Sequence, residues 1–232
     1  MDAPPPKIPL SGIIRMLFVI LLFSFLPLLV SGRRDWWEGW AYALLILLHF
    51  IASRALLIRY NPDLALERSR SLAHTGVKPW DRILAPVMAL GGTLIAASAG
   101  LGVRFGAEAP FSPPVQAMAF LLILFGLVIG TWAMMKNCFF SGVVRIQTER
   151  GHTVVTAGPY TWVRHPGYSA TLLSFIALPF FLNAPVALLS AGFLLVISIL
   201  RTSMEDAALM EELPGYQEYS RTVRYRLVPG VW

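Results

Sequence analysis

Residues 166–200 read PGYSATLLSFIALPFFLNAPVALLSAGFLLVISIL and contain no charged side chain over 35 positions. A helix of that length would extend roughly 52 Å, whereas one crossing of a bilayer takes about 20 apolar residues. The stretch is therefore too long for one span and too short for two full spans. Pro179 and the Asn183-Ala184-Pro185 break predict two short helices that form a hairpin in the membrane. Such a hairpin must pack against other helices, which satisfy the backbone at the break.

Four more hydrophobic segments precede this hairpin, and each is long enough to cross a bilayer. They run from about residue 11 to 30, 36 to 59, 83 to 103 and 113 to 135. Hydrophobic residues make up 56% of the 232 positions and charged residues only 14%, which excludes a soluble globular protein. The sequence thus predicts an all-α polytopic membrane protein of about six hydrophobic helices.

The basic residues lie between the hydrophobic segments and are distributed unequally. Arg33, Arg34 and Arg104 fall on one side of the predicted bundle, and most of the other Lys and Arg residues fall on the opposite side. The positive-inside rule therefore predicts a multi-pass protein of the inner or plasma membrane with both termini in the cytoplasm. The net charge of +6 does not indicate nucleic-acid binding, because these residues form no solvated basic stripe.

The segment that precedes the membrane hairpin carries two runs of β-branched residues, 143–148 and 153–156. A Glu149-Arg150-Gly151-His152 turn separates them. This pattern predicts a short cytoplasmic β-hairpin or loop at the membrane surface.

Arg164 and His165 stand directly before the uncharged stretch. Because His165 precedes Pro166, its backbone favours an extended conformation, and a helix can begin at the proline. The first N–H groups of that helix, beside Arg164, would suit a carboxylate or another anion. Taken alone, the pattern is more typical of a basic anchor at the membrane interface.

The chain after the hairpin carries two further candidate features. Arg201 and Glu205, four residues apart, share one face of the last hydrophobic helix, where an exposed ion pair is as good an interpretation as a functional site. Beyond Pro214-Gly215, which ends that helix, Tyr216 and Tyr219 recur at helical spacing. They predict a C-terminal amphipathic helix folded back on the membrane surface.

These motifs occur together between residues 137 and 229. They are Gly158-Pro159-Tyr160, Arg164-His165-Pro166-Gly167-Tyr168, Arg201, Glu205-Asp206, Tyr216 and Tyr219. In combination they resemble the isoprenylcysteine carboxyl methyltransferase family and the related membrane phospholipid methyltransferases.

The resemblance implies an enzyme that uses S-adenosylmethionine, bound near the cytosolic surface. Residues 1–136 would hold N-terminal transmembrane helices, and residues 137–232 the methyltransferase-like catalytic region of one integrated domain. The catalytic residues that it implies are Arg164 and Glu205, and Glu205 is expected to hold a more constrained position than Asp206. The implied cofactor-binding residues are Tyr160, His165, Pro166, Tyr168, Arg201, Tyr216 and Tyr219.

Methyl transfer from a sulfonium is an in-line displacement that needs alignment and exclusion of water, so neither a metal site nor a covalent intermediate is predicted. Arg164 would orient an anionic acceptor or the cofactor carboxylate. Glu205 would fix that arginine, contact the cofactor's ammonium group or act as a base. The family suggests a lipid-like or prenylated acceptor that enters from the surrounding membrane lipids, and a carboxylate acceptor would require no base.

Two other function classes stay open at the level of sequence. One is an NADPH-dependent membrane reductase of the sterol-reductase type, in which an Arg-His-x-x-Tyr-like segment also occurs. The other is a non-catalytic membrane protein or transporter, for which His49 and Arg54 in the second span are the available hints. The sequence indicates neither the identity of the acceptor nor the oligomeric state.

Overall fold

The computed structural model describes residues 10–69, 76–107 and 111–232, with side chains described from residue 17 onward. Within these ranges the chain forms α1 (Leu10–Ser31), α2 (Trp37–Tyr60), α3 (Pro62–Ser69), α4 (Asp81–Arg104), α5 (Pro113–Lys136), α6 (Pro166–Phe181), α7 (Ala187–Glu212) and α8 (Tyr216–Thr222). Each of the first four predicted spans lies within one or two residues of an observed helix.

The long helices have the composition of membrane spans. Helices α2, α4, α5 and α7 are long and apolar enough to cross a bilayer, and α6 and the described part of α1 are shorter apolar helices. Large apolar side chains such as Phe18, Ile83 and Leu189 are 63%, 70% and 78% exposed on the outside of the bundle. Contiguous apolar surface of this kind requires lipid rather than water around it. The predicted polytopic all-α fold is confirmed.

Helix α4 lies at the centre of the bundle, where it contacts α1, α6 and α7, and α5 packs along α6. Small residues permit these close approaches. A Cβ atom built on Gly100 would lie 2.4 Å from the backbone oxygen of Pro27 in α1, and one built on Gly91 would lie 2.4 Å from the ring of Phe175 in α6. Glycine at these positions therefore sets the distance between neighbouring helices.

The membrane hairpin differs in one respect from the prediction. Helix α6 is short, with 16 residues and a length of about 24 Å, but α7 has 26 residues and a length of about 39 Å. The prediction of two short helices is thus wrong for α7, because the helix does not end where the uncharged stretch ends. It continues through Arg201 to Glu212, and buried partners accommodate the charges of Arg201 and Asp206 in this extension.

Of the β-hairpin or loop predicted over residues 143–156, the structure has the loop, since the described chain contains no β-strand there or elsewhere. The two β-branched runs pack on the bundle instead of pairing with each other. Val143 contacts Val77 and Ala85, and the carbonyl of Val144 accepts a hydrogen bond from the N–H of Lys78. The segment is an irregular loop with a 3₁₀ turn at Thr148–Arg150.

The predicted C-terminal amphipathic helix is present as α8, but its buried face does not lie on the membrane surface. Tyr216 and Tyr219 pack with Leu213 at the end of α7, and Ile146 and Val154 of the irregular loop pack against them. Helix α8 therefore closes over the end of α7.

We predict that Gly100→Ala lowers the free energy of unfolding by about 1–3 kcal/mol, because the added methyl group overlaps the Pro27 carbonyl in a closely packed interface. Gly192→Ala in α7 is the matched control. No heavy atom lies within 4 Å of a Cβ at Gly192, so this change should be neutral or stabilising by about 0.5–1 kcal/mol. Thermal unfolding in one detergent measures both, and equal stability of the two variants would contradict this view of the α1–α4 contact.

Candidate functional site

A cavity of about 320 Å³ lies at the end of the bundle that the distribution of Lys and Arg predicts to be cytoplasmic. Its walls come from α4, the loop over residues 137–165, the beginning of α6, the end of α7 and α8. The volume lies at the lower end of the range of small-molecule sites.

The structure brings most of the predicted site residues to this cavity. Those that line it are Tyr160, Arg164, His165, Tyr168, Arg201, Glu205, Tyr216 and Tyr219. Pro166 is buried and does not line it, and it serves as the first residue of α6. Residues far apart in sequence thus meet in one place, although their individual roles stay predictions.

Asp206 is the most heavily hydrogen-bonded side chain of the site, and it is fully buried. Its carboxylate accepts hydrogen bonds from Arg164 Nε (2.8 Å) and Nη2 (2.9 Å), Arg226 Nε (2.8 Å) and the Tyr216 hydroxyl (2.8 Å). His165 Nε2 lies 3.0 Å from the same carboxylate, which only accepts, so this nitrogen carries a proton. The expectation that Glu205 is the more constrained acid is therefore wrong, and Asp206 holds that position.

Arg164 donates four of its five N–H groups to protein acceptors. Besides Asp206, it donates from Nη1 to the carbonyl oxygens of Val223 (3.0 Å) and Arg224 (2.8 Å). Burial opposes its charge, but the hydrogen bonds and attraction of Asp206 outweigh burial and raise the pKa of Arg164. The guanidinium therefore faces the C-terminal segment, and it does not form the expected anion site with the start of α6.

The backbone completes the attachment of the C-terminal segment. The N–H groups of Arg164 and His165 donate to the carbonyl oxygens of Tyr225 and Arg226, each at 2.9 Å. Ser169 Oγ in α6 donates to the carbonyl oxygen of Leu227 at 2.7 Å. The beginning of α6 and residues 223–227 therefore form one unit.

Both tyrosines of α8 are fixed within this unit. The Tyr216 hydroxyl donates to Asp206, and the Tyr219 hydroxyl donates to the carbonyl oxygen of Tyr160 at 2.7 Å. Burial is the main reason that the pKa of Tyr216 and Tyr219 is raised, so both phenols are protonated at neutral pH. Both tyrosines contribute to the wall of the cavity.

Glu205 has the opposite character to Asp206. It is half-buried, and its Oε2 accepts one hydrogen bond, 2.6 Å long, from the hydroxyl of Tyr168. Glu205 is the one Asp or Glu side chain among the described residues that line the cavity. No Lys or Arg of the described chain lies within ion-pair distance of its carboxylate. The carboxylate thus places a negative charge at the cavity.

Arg201 does not pair with Glu205 as its spacing allowed. It turns to Asp81 at the beginning of α4, with Nε 2.6 Å from Oδ1 and Nη2 3.0 Å from Oδ2. Both residues are buried, and the guanidinium carbon of Arg201 lies 5.4 Å from the centre of the Tyr168 ring. The interpretation as an exposed surface ion pair is wrong.

Sequence reasoning missed several residues of the cavity wall, namely Arg68, Asn137, Arg145, Gln147 and His152. Arg68 and Arg145 looked like ordinary flanking charges, but both contact buried protein groups. Arg145 pairs with Glu67 at 2.8 Å, and Arg68 Nη1 donates to the carbonyl oxygen of Phe140 at 2.9 Å. Burial, together with the charges of Arg54 and Arg201, lowers the pKa of Arg68 to about 10, so it stays charged at neutral pH.

The isoprenylcysteine carboxyl methyltransferase (ICMT) family model matches residues 118–211, a segment that holds Arg164, His165, Tyr168, Glu205 and Asp206. The family resemblance is confirmed. Protein-S-isoprenylcysteine O-methyltransferase of Xenopus laevis is 33% identical to this chain over 73 residues. That match covers 28% of this chain and 25% of the relative, so it spans about a quarter of the relative's length.

We predict that Asp206→Asn lowers the free energy of unfolding by about 3–5 kcal/mol, because it leaves the buried Arg164 charge without its partner. Glu205→Gln should change stability by less than about 1 kcal/mol, since it breaks no buried ion pair. Thermal unfolding of both variants in the same detergent provides the measurement. An equal loss of stability in the two variants would contradict the assignment of Asp206 as the structural acid.

Proposed function

We propose that the protein is an integral-membrane methyltransferase that transfers the methyl group of S-adenosylmethionine to a carboxylate of a lipid-like or prenylated acceptor. The observation that carries this proposal is the Glu205 carboxylate, which lines a cavity together with several tyrosines. Glu205 lies inside the segment that matches the methyltransferase family. The cavity lies at the end of apolar helices, where lipid and water meet.

The chemistry of the cavity fits such a donor. S-adenosylmethionine carries a positive sulfonium, a positive ammonium group and a flat adenine ring. Glu205 supplies a negative charge for a cationic group, and the rings of Tyr160, Tyr168, Tyr216 and Tyr219 supply aromatic faces for the sulfonium or the adenine. When bound, the donor would supply an electrophilic methyl group on a positively charged sulfur, and this sulfur is the leaving group of an in-line displacement.

The residues of this chain have the remaining tasks of binding, orientation and exclusion of water. Asp206 and Arg164 hold the C-terminal segment against α6, so that Tyr216 and Tyr219 close one wall. A closed wall keeps water from competing with the acceptor and fixes the approach of the nucleophile. Because a carboxylate is already a nucleophile, an acceptor of this kind would need no general base from the chain.

The opposite wall suits the acceptor. Ala85, Met88 and Ala89 of α4 and Thr171 of α6 line the cavity on the side of the membrane helices, which is an apolar surface for a lipid chain. Arg68 lines the same cavity, and its positive charge would attract a carboxylate. An acidic head group on an apolar chain matches this combination.

The proposal is tested by transfer of a radiolabelled methyl group from S-adenosylmethionine to a prenylated cysteine with a free carboxylate. We expect label in the free acid and none in the corresponding methyl ester, which lacks the nucleophile. S-adenosylhomocysteine should raise the melting temperature of the detergent-purified protein, and NADPH should not. Protection by NADPH alone would favour a reductase and contradict the proposal.

Glu205→Gln should weaken donor binding by about tenfold or more, because it removes the negative charge from the cavity. Glu218→Gln on the exposed face of α8 is the matched control, and it should bind the donor like the wild type. Titration calorimetry measures both dissociation constants. Unchanged affinity in Glu205→Gln would remove this residue from the binding site.

A further inference from the structure

We propose that Asp81, in the first turn of α4, is a positioning residue that sets the charge of the donor cavity. It holds Arg201 away from Glu205, so that the Glu205 carboxylate is left for the positive sulfonium of the donor. This inference rests on the proposed function. Asp81 lies outside the segment 118–211 that matches the family, and it does not itself line the cavity.

The contacts of Asp81 fix the guanidinium of Arg201 in one orientation. Oδ1 accepts a hydrogen bond from Arg201 Nε at 2.6 Å, and Oδ2 accepts one from Nη2 at 3.0 Å. Oδ2 also accepts from the backbone N–H of Val144 at 2.5 Å, and the carbonyl oxygen of Gly142 accepts from Arg201 Nη2 at 3.1 Å. Asp81 is fully buried, so this geometry is held in the interior and not exposed to competition from water.

Glu205 is the competing partner of Arg201. The two residues stand four apart on α7, a spacing that brings side chains of opposite charge together on a helix. In the structure Tyr168 occupies the space between them, with its ring 5.4 Å from the Arg201 guanidinium carbon and its hydroxyl 2.6 Å from Glu205. Without the charge of Asp81, attraction would direct Arg201 to Glu205 and neutralise the carboxylate at the cavity.

Two other arginines of the cavity wall are neutralised in the same manner. Arg164 pairs with Asp206, and Arg145 pairs with Glu67 at 2.8 Å. The acids of all three pairs are buried and lie behind the wall, since none of them lines the cavity. The charges of Arg145, Arg164 and Arg201 are thus compensated from behind the wall, which favours binding of a cation in the cavity.

The charge of the donor provides the readout. S-adenosylmethionine carries the sulfonium, whereas S-adenosylhomocysteine lacks the methyl group, has a neutral sulfur and shares the remaining groups. The ratio of their dissociation constants therefore reports the electrostatic potential at the sulfur. A purely structural role of Asp81 would weaken both ligands together and leave this ratio unchanged.

Titration calorimetry with both ligands is the experiment, on the wild type, Asp81→Asn and the double variant Asp81→Asn/Arg201→Gln. Asp81→Asn should shift the ratio about tenfold against the sulfonium, because Arg201 is then free to pair with Glu205. The double variant removes both charges and should return the ratio to within about twofold of the wild type. Asp63→Asn, an exposed acid on α3, is the control and should leave the ratio unchanged.

The inference is overturned if Asp81→Asn has the same ratio of dissociation constants as the wild type. It is also overturned if the double variant shows the same shift of this ratio as Asp81→Asn. If Asp81→Asn does not fold, the double variant tests the proposal on its own, because it leaves no unpaired buried charge. A loss of sulfonium preference in that variant would overturn the inference. Binding of neither ligand by the wild type would instead overturn the proposed function.

Discussion

The buried carboxylate of Asp206 is the interaction on which the site depends. A carboxylate in a protein interior is costly unless it is paired and hydrogen-bonded, and here Arg164, Arg226, Tyr216 and His165 surround it. These partners come from the two residues directly before α6, from α8 and from the C-terminal segment. One acid on α7 therefore gathers three separate parts of the chain around the cavity, and the tyrosines of α8 close its wall because they are attached in this way.

The bilayer explains why the cavity lies where it does. Helix α7 is about 39 Å long, which exceeds the roughly 30 Å thickness of the hydrocarbon, so its charged end reaches the polar region while its apolar part stays in lipid. Glycines on α4 bring the neighbouring helices close and leave the cavity between the helix ends and the loop over residues 137–165. The proposed polar donor would reach such a place from water, and the proposed apolar acceptor would reach it from lipid.

The spans were predictable from sequence, since hydropathy over about 20 residues reflects the local cost of burying charge in lipid. Part of the cavity wall was also predictable, because the motifs that hold its residues form a recognisable set. Two features of the site were not predictable from sequence. Asp206 and Glu205 are adjacent in the chain, and only the direction of each side chain shows that Asp206 holds the C-terminal segment while Glu205 lines the cavity. Arg201 pairs with Asp81 rather than Glu205 because α4 packs on α7, and the spacing of residues along α7 does not predict this contact. Likewise, the β-branched runs near Val143 bury themselves on the bundle instead of forming strands.

Hydrogen–deuterium exchange of the detergent-purified protein, with and without saturating S-adenosylhomocysteine, tests the central claim most directly. The claim is that the Asp206 unit and the loop over residues 137–165 enclose one nucleoside site. Exchange at residues 143–146 and 216–227 should then slow together when the ligand is added, while exchange in α1 and α2 stays the same. Unchanged exchange in both of these segments at saturating ligand would contradict the account.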